Sequence, residues 1–489
     1  MIYIRRAWWI MAIGGLLCFL ATLLLSADQS LLYVAAWVAP GILGISAVAA
    51  LVLIARKSPL ALISPVGPFA GIVLAYFCIG GLVPVIADAP TMSVLLDTVD
   101  FSAADLARVH GIVGLGILCV SLGVLAVTAT QSPEPLVVGK TMNRRTFERS
   151  VVAFLVIGLP THLLLTLPQS MGLFTFAAPD AFVQLGRLAT LGVLLMGFGL
   201  ARGLLNQRIY RPIHITTASL LVLTGVVQLS KVDIFIQGGA AIGGYFLANP
   251  SRKTALITLS VGVVVYVIIA PLIVVAREVA AFGGGSISAR IEASQDVIAV
   301  GREILDQEDR PNIALLRISY VNVMAWTVDQ YDRGNPGHSV TENALWMFVP
   351  RALFPEKPLV AGIGRQITYL VTDADPETST GTTIFGEAYW NGGYGGLIVI
   401  SFIVGSILGF LTIQSFNALT SLHPPAMLWV WAAGIMGERI DGFFLTDYIG
   451  PLVTWCVLYL AINTIFGLFI GSDATDVPAS PSMSAIPAQ

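Results

Sequence analysis

WMFVPRALFPEKPLVAGIGR (346–365) and TGTTIFGEAYWNGGYGG (380–396) lie between two long apolar runs, and they gather Arg351, Lys357, Arg365 and Glu387 amid proline and glycine. Pro350, Pro355 and Pro358 stiffen the first stretch, while Gly392 and Gly393 interrupt the apolar run that the second one opens. Almost everything on either side reads as apolar helix.

Of the 489 residues, 56% are hydrophobic and only 11% charged, and the mean hydropathy is +0.83. Soluble domains carry roughly a quarter charged residues, so the composition is that of a membrane protein. A hydrocarbon core about 30 Å thick needs roughly 20 apolar residues per helix. Runs of that kind recur along the chain without the alternation of a β-barrel strand. The expected fold class is therefore an all-α polytopic membrane protein of about twelve transmembrane helices.

The first run, at about 7–27, follows Arg5 and Arg6 and has Trp8 and Trp9 at its mouth; it reads as an uncleaved first helix rather than a signal peptide. Further helices are expected near 31–55, 66–86, 106–128, 150–168, 181–204, 213–229, 232–248 and 254–275. Lys and Arg concentrate at the N-terminus, at 56–57, 140–149, 202–211 and 252–253, which is every second connection. By the positive-inside rule these face the cytoplasm and the segment after 275 lies outside. The expected organisation is helices 1–9 over 1–275, a large extracytoplasmic loop over 276–384 and helices 10–12 over 385–470. A disordered tail covers 471–489, rich in Ser, Ala and Pro.

The large loop carries helical periodicity at Ile287, Ile291, Ile298 and Leu305. The run PNIALLRISYVNVMAWTVDQY (311–331) is short for a span and is expected to lie on or dip into the membrane surface. Ser339 and Glu342 have the spacing of a capping box. Helix 10 is expected near 385–413, with a break at Gly392–Gly393, and helices 11 and 12 near 425–440 and 446–470.

Ionisable groups in apolar surroundings raise the energy of insertion by roughly 2.5–3.5 kcal/mol each, so each asks for a reason. Arg277 and Arg439 sit where apolar helices reach the outer face, and they read either as snorkelling interface residues or as anion-binding groups. Lys231, in the break SKVD, reads as a polar turn or as a further positive charge for a phosphate. Arg351, Lys357 and Arg365 form a fixed basic group in the loop, and arginine's planar fork suits two phosphate oxygens at once. Glu387 is either a helix-entry acid favoured by the dipole or a general base. His338, the one histidine of the large loop, suits proton transfer near neutrality. Cys18, Cys78, Cys119 and Cys456 all lie in apolar segments and fit neither a disulfide framework nor a thiolate metal site. The sequence contains no P-loop, HExxH or GxSxG. DADPE (373–377) reads as a solvated acidic turn, and no metal or cofactor is expected.

PRALFPEKP followed by GEAYWNGGYGG at the start of a helix resembles the Wzy-type polysaccharide polymerases, the O-antigen or oligosaccharide repeat-unit polymerases, over about fifty residues. The resemblance implies a GT-C-like membrane glycosyltransferase in the bacterial cytoplasmic membrane. It also implies substrates in which oligosaccharide repeat units are carried on undecaprenyl diphosphate, joined on the outer face by transfer to a sugar hydroxyl. Neither metal nor nucleotide sugar is implied. Its partners would be the lipid-linked oligosaccharides, membrane lipids and a chain-length regulator, with no nucleic acid. An O-antigen-ligase-like transferase and a transporter or flippase of lipid-linked oligosaccharides are the alternative readings.

Overall fold

The computed structural model describes residues 1–131, 144–171, 180–257, 311–337, 344–349, 363–372, 381–421 and 423–469, with isolated positions between them. Every regular element among these residues is helical.

Seven described helices are long and apolar enough to cross a membrane. They are α1 (Ile2–Ser26), α2 (Gln29–Lys57), α3 (Val66–Ile86), α5 (Ala103–Thr128), α6 (Arg144–Gln169), α13 (Thr383–Ser421) and α15 (Phe444–Gly467). Between them lie α4 (Ala89–Thr98), α7 (Asp180–Ala201), α8 (Gln207–Val227), α9 (Lys231–Ala248), α10 (Ile313–Ile318), α11 (Val321–Asp332), α12 (Ile363–Thr372) and α14 (Met427–Glu438). The sequence reading of about twelve spans also counts helices that are shorter or less apolar than these. The apolar parts of α7 and α9, Leu185–Ala201 and Val232–Ala248, are shorter. Helix α14, with 12 residues, reaches about 18 Å at 1.5 Å per residue. Most of the 254–275 run lies outside the described residues.

Two groups of helices pack together. In the first, α5 lies against α1, α2 and α13; in the second, α7 lies against α6, α8 and α9. Helices α14 and α15 touch both groups. The outward faces carry Leu20, Leu24, Ile45, Val156, Leu164, Leu223 and Leu460, all exposed, as a hydrocarbon solvent allows.

Three hydrogen-bonded contacts tie the basic connections together in pairs. Arg5 donates to the carbonyls of Thr128 and Gln131, Arg252 donates to the carbonyl of Arg56, and the Tyr210 hydroxyl donates to Glu148. Each contact joins segments that the charge pattern assigns to one side of the membrane.

The break in α13 is a reversal of direction. Gly392 and Gly393 leave helical backbone angles, and Gly393 takes φ +59°. In a straight helix residues 388 and 396 would be about 12 Å apart along the axis. Here a Cβ on Gly396 would lie 2.6 Å from the Ala388 carbonyl oxygen. The register against α5 agrees: Phe385 sits at Gly116, whereas Gly405 sits at Val120 and Gly409 at Val124. Residues 383–391 therefore run up beside α5, the chain turns at 392–393, and 394–421 run back down as the membrane-crossing arm. Glycines at 123, 405 and 409 let α5 and that arm approach closely.

The 311–331 segment, expected to lie on or dip into the membrane surface, is divided at Ser319–Tyr320 into α10 and α11. Val321, Asn322, Val323, Met324, Ala325, Thr327 and Val328 are buried, and α11 packs against α5 and α13. The hairpin tip is held there. Arg108 forms an ion pair with Asp332 and donates to the Tyr389 hydroxyl at 2.8 Å, Gly337 N–H donates to the Trp390 carbonyl, and Val340 N–H donates to Asn391 Oδ1.

Candidate functional site

The deep end of the short arm leads to a group of charges. Thr382 and Thr383 are fully buried, and Thr383 takes φ +64°, a strained conformation for a β-branched residue. The preceding Gly381 passes so close to the turn after α14 that a Cβ would come 2.7 Å from the Asp441 carbonyl oxygen. That turn, Arg439–Asp441, borders a cavity of about 230 Å³ lined by Ile72, Tyr76, Val232, Phe235, Ile236, Glu438, Arg439 and Asp441. Half of the lining is apolar side chain from α3 and α9; the other half is ionisable or phenolic.

Three π-helical segments surround this region: Val73–Ile79, which carries Tyr76; His162–Thr166; and Phe444–Ile449. Such widened turns displace side chains from the regular helical register and concentrate at functional sites. The Tyr76 ring lies 4.8 Å from that of Tyr320, whose hydroxyl points at Asp441 Oδ2 at 3.4 Å. Burial, and then the Asp441 charge, push the Tyr320 phenol well above its ordinary value, so it remains a donor. Burial also pushes the Asp441 carboxyl above the usual carboxylate range, and the neighbouring Arg439 works against that rise.

Arg439 is the cation of the cavity. It feels the charges of Asp447, Asp441 and Glu438, yet among the described residues it makes no hydrogen bond and no ion pair within 4 Å. Arg187, on α7, stands behind it, within electrostatic reach of Asp233, Arg439 and Glu438 and likewise without a direct partner among the described residues. The Asp447 carboxylate is committed to the backbone, accepting from Phe443 N–H at 2.8 Å and from the Thr446 hydroxyl at 3.0 Å. His162 donates to or accepts from the Thr224 hydroxyl at 2.9 Å nearby.

Of the residues singled out from sequence, Arg439 lines the cavity. Glu387 is fully buried one layer behind it, and its Oε2 accepts the Phe444 N–H at 2.6 Å. The Glu387 carbonyl in turn accepts from the Asn391 side chain at 2.9 Å. Arg365 is exposed on α12, whose Ile367 packs with Phe443, two residues beyond Asp441. Lys231 opens α9, one residue before Val232 of the cavity wall, behind an N-cap in which Ser230 accepts from Asp233 N–H. Arg277, His338, Arg351 and Lys357 lie outside the described residues, as do Ser339 of the capping box and the DADPE turn.

The sequence reading passed over Arg187, Tyr76 and Tyr320. For Arg187 the signal was present, since it is the one charge in the apolar run LGRLATLGVLLMGFG (185–199). The two tyrosines carry no such mark, because an aromatic residue in an apolar helix looks like core. Among the described residues no group of His, Cys, Asp and Glu is placed to hold a metal ion. No family model, curated protein or solved structure matches the chain.

Proposed function

We propose that this chain is a membrane glycosyltransferase of the polysaccharide-polymerase kind. It joins oligosaccharide repeat units carried on undecaprenyl diphosphate, at the outer face of the bacterial cytoplasmic membrane, with its N-terminus inside. The observation that carries the reading is the Arg439 guanidinium, unpaired among the described residues at the polar end of a cavity whose other wall is Ile72, Val232, Phe235 and Ile236. Arg439 is only partly buried, and Asp447, Asp441 and Glu438 act on its charge without forming an ion pair among the described residues, so its guanidinium donors are open to an anionic ligand. Apolar walls beside a fixed cation fit an anionic headgroup attached to a hydrocarbon chain. In glycosyl transfer from a lipid diphosphate, negative charge builds on the departing diphosphate as the glycosidic bond breaks. A preorganised guanidinium lowers the energy of that state. Arg351 and Lys357, in the stretch that bears the family resemblance, are proposed as further contacts for the diphosphate.

The reversed short helix favours a second reading. Interrupted helices that end inside the protein are a device of transporters for anionic substrates, so a transporter of lipid-linked oligosaccharides shares the same geometry. Deleting the gene and examining surface glycans by gel and mass spectrometry separates the readings. A polymerase predicts single exported repeat units without the ladder of longer chains. Units trapped inside the cell would favour transport, and long chains left on the carrier lipid would favour a ligase. Unchanged chain lengths, in a host without a second such gene, would overturn the proposal.

A further inference from the structure

We propose that Asp441 takes the proton from the acceptor hydroxyl in this reaction, and that Glu387 holds in place the backbone on which Asp441 is carried. The inference rests on the glycosyl-transfer reading above.

A sugar hydroxyl that attacks an anomeric carbon must lose its proton, and several carboxylates lie on or near the cavity wall. Asp447 is committed to Phe443 N–H and the Thr446 hydroxyl. Glu387 has no exposed surface, and its Oε2 is taken by Phe444 N–H. Asp233 sits in the first turn of α9 behind the Ser230 cap and does not line the cavity. Glu438 and Asp441 remain on the cavity wall. Glu438 ends α14 on the same lining, but among the described residues no hydrogen bond orients its carboxylate. Asp441 stands between Arg439 and Tyr320, and the Tyr320 hydroxyl at 3.4 Å orients its Oδ2. Gly381, having no side chain, lets the buried start of the short arm close over the same turn. Burial raises the Asp441 carboxyl and so makes its ionised form a stronger base than an exposed aspartate.

The step balances within the site. An Asp441 carboxylate oxygen takes the hydroxyl proton, and the freed oxygen electron pair forms the bond to the anomeric carbon. The bond from that carbon to the phosphate oxygen breaks, its electron pair leaving on the diphosphate, whose charge Arg439 meets. The proton then passes from Asp441 to the departing diphosphate. Glu387, which touches no part of the cavity, is a positioning residue: it fixes Phe444, and with it the 439–443 turn.

The test uses the full-length protein in the deletion strain and, purified in detergent, with farnesyl diphosphate as the binding probe. The wild-type gene should restore the glycan ladder. Asp441→Asn should lower polymer formation by about a hundredfold or more, yet bind the probe at least as tightly as wild type, because a negative charge beside the anion is removed. Retained binding also shows that this variant is folded. Glu387→Leu, which removes the acceptor of Phe444 N–H, should lower polymer formation without weakening probe binding, and Glu387→Gln, which keeps an acceptor, should recover most of that loss. A full ladder from Asp441→Asn, or loss of the ladder in Glu438→Gln with Asp441→Asn active, would overturn the assignment while leaving the polymerase reading intact. Failure of the wild-type gene to restore the ladder would remove the reading itself, and this inference with it.

Discussion

Arg439 and Glu387 show how differently two charged residues can be used a few residues apart in space. The guanidinium faces a cavity, whereas the carboxylate is enclosed and bonded to a backbone amide. Replacing Arg439 by Lys removes the planar fork but keeps the charge. Loss of one charged hydrogen bond, about 1.5–3 kcal/mol, should weaken farnesyl diphosphate binding by roughly tenfold or more in a calorimetric titration; unchanged affinity would mean that charge alone suffices. At Glu387, substitution by Leu leaves the buried Phe444 N–H without its acceptor. Stability should fall by about 1–3 kcal/mol, read as a lower unfolding temperature in detergent, whereas Gln should stay near wild type. Asp441 bears on pH. Its folded value is raised, so the ionised base appears only as pH climbs past that value, and turnover should rise there, above the ordinary carboxylate value of about 3.9. The sign for stability is the opposite: the contribution from this group is fully present below its ordinary value and is lost as pH rises through the folded one. Burial is the main cause of the raised value; Arg439 and the Tyr320 hydroxyl oppose that rise and Asp447 adds to it. An acidic limb at the ordinary value would count against Asp441 as the base.

Among the elements, the hairpin of α13 decides the geometry. The sequence shows two adjacent glycines in a long apolar run, which is legible as a break; the angle of that break is not. A reversal requires Gly393 at φ +59° with Tyr331 directly against it, where a Cβ would lie 2.7 Å from the phenol oxygen. Gly393→Ala should therefore destabilise the protein by at least the roughly 1–2 kcal/mol of left-handed strain. Gly395→Ala, with no atom within 4 Å of the added methyl, should be tolerated. Comparing the two unfolding temperatures checks this, and equal values would argue for a gentle kink. The contact partners that impose the reversal, α5, α11, Asn335, Gly337 and Val340, are remote in sequence, so periodicity alone could not reveal it.

Across the whole molecule, the basic connections meet in pairs, and the sidedness that the positive-inside rule assigns them is open to a direct test. Cys substitutions at Asp88 and Arg145, in a background without the four native cysteines, should label from opposite sides of the membrane with an impermeant thiol reagent, position 88 from outside. Labelling of both from one side would break the alternation.

The sequence alone determined an all-helical membrane protein, because apolar runs long enough to span a bilayer leave the backbone few other ways to satisfy its hydrogen bonds. It also determined the alternation of basic connections and marked Arg439 as a charge needing a reason. Only the tertiary structure decided which charges meet. Arg187, Tyr76, Tyr320, Arg439 and Asp441 come from α7, α3, the α10–α11 break and the turn after α14, and no local pattern records their convergence. Helix packing and the reversal of α13 bring them together, and the same packing separates Glu387 from the cavity that its position in the sequence seemed to serve.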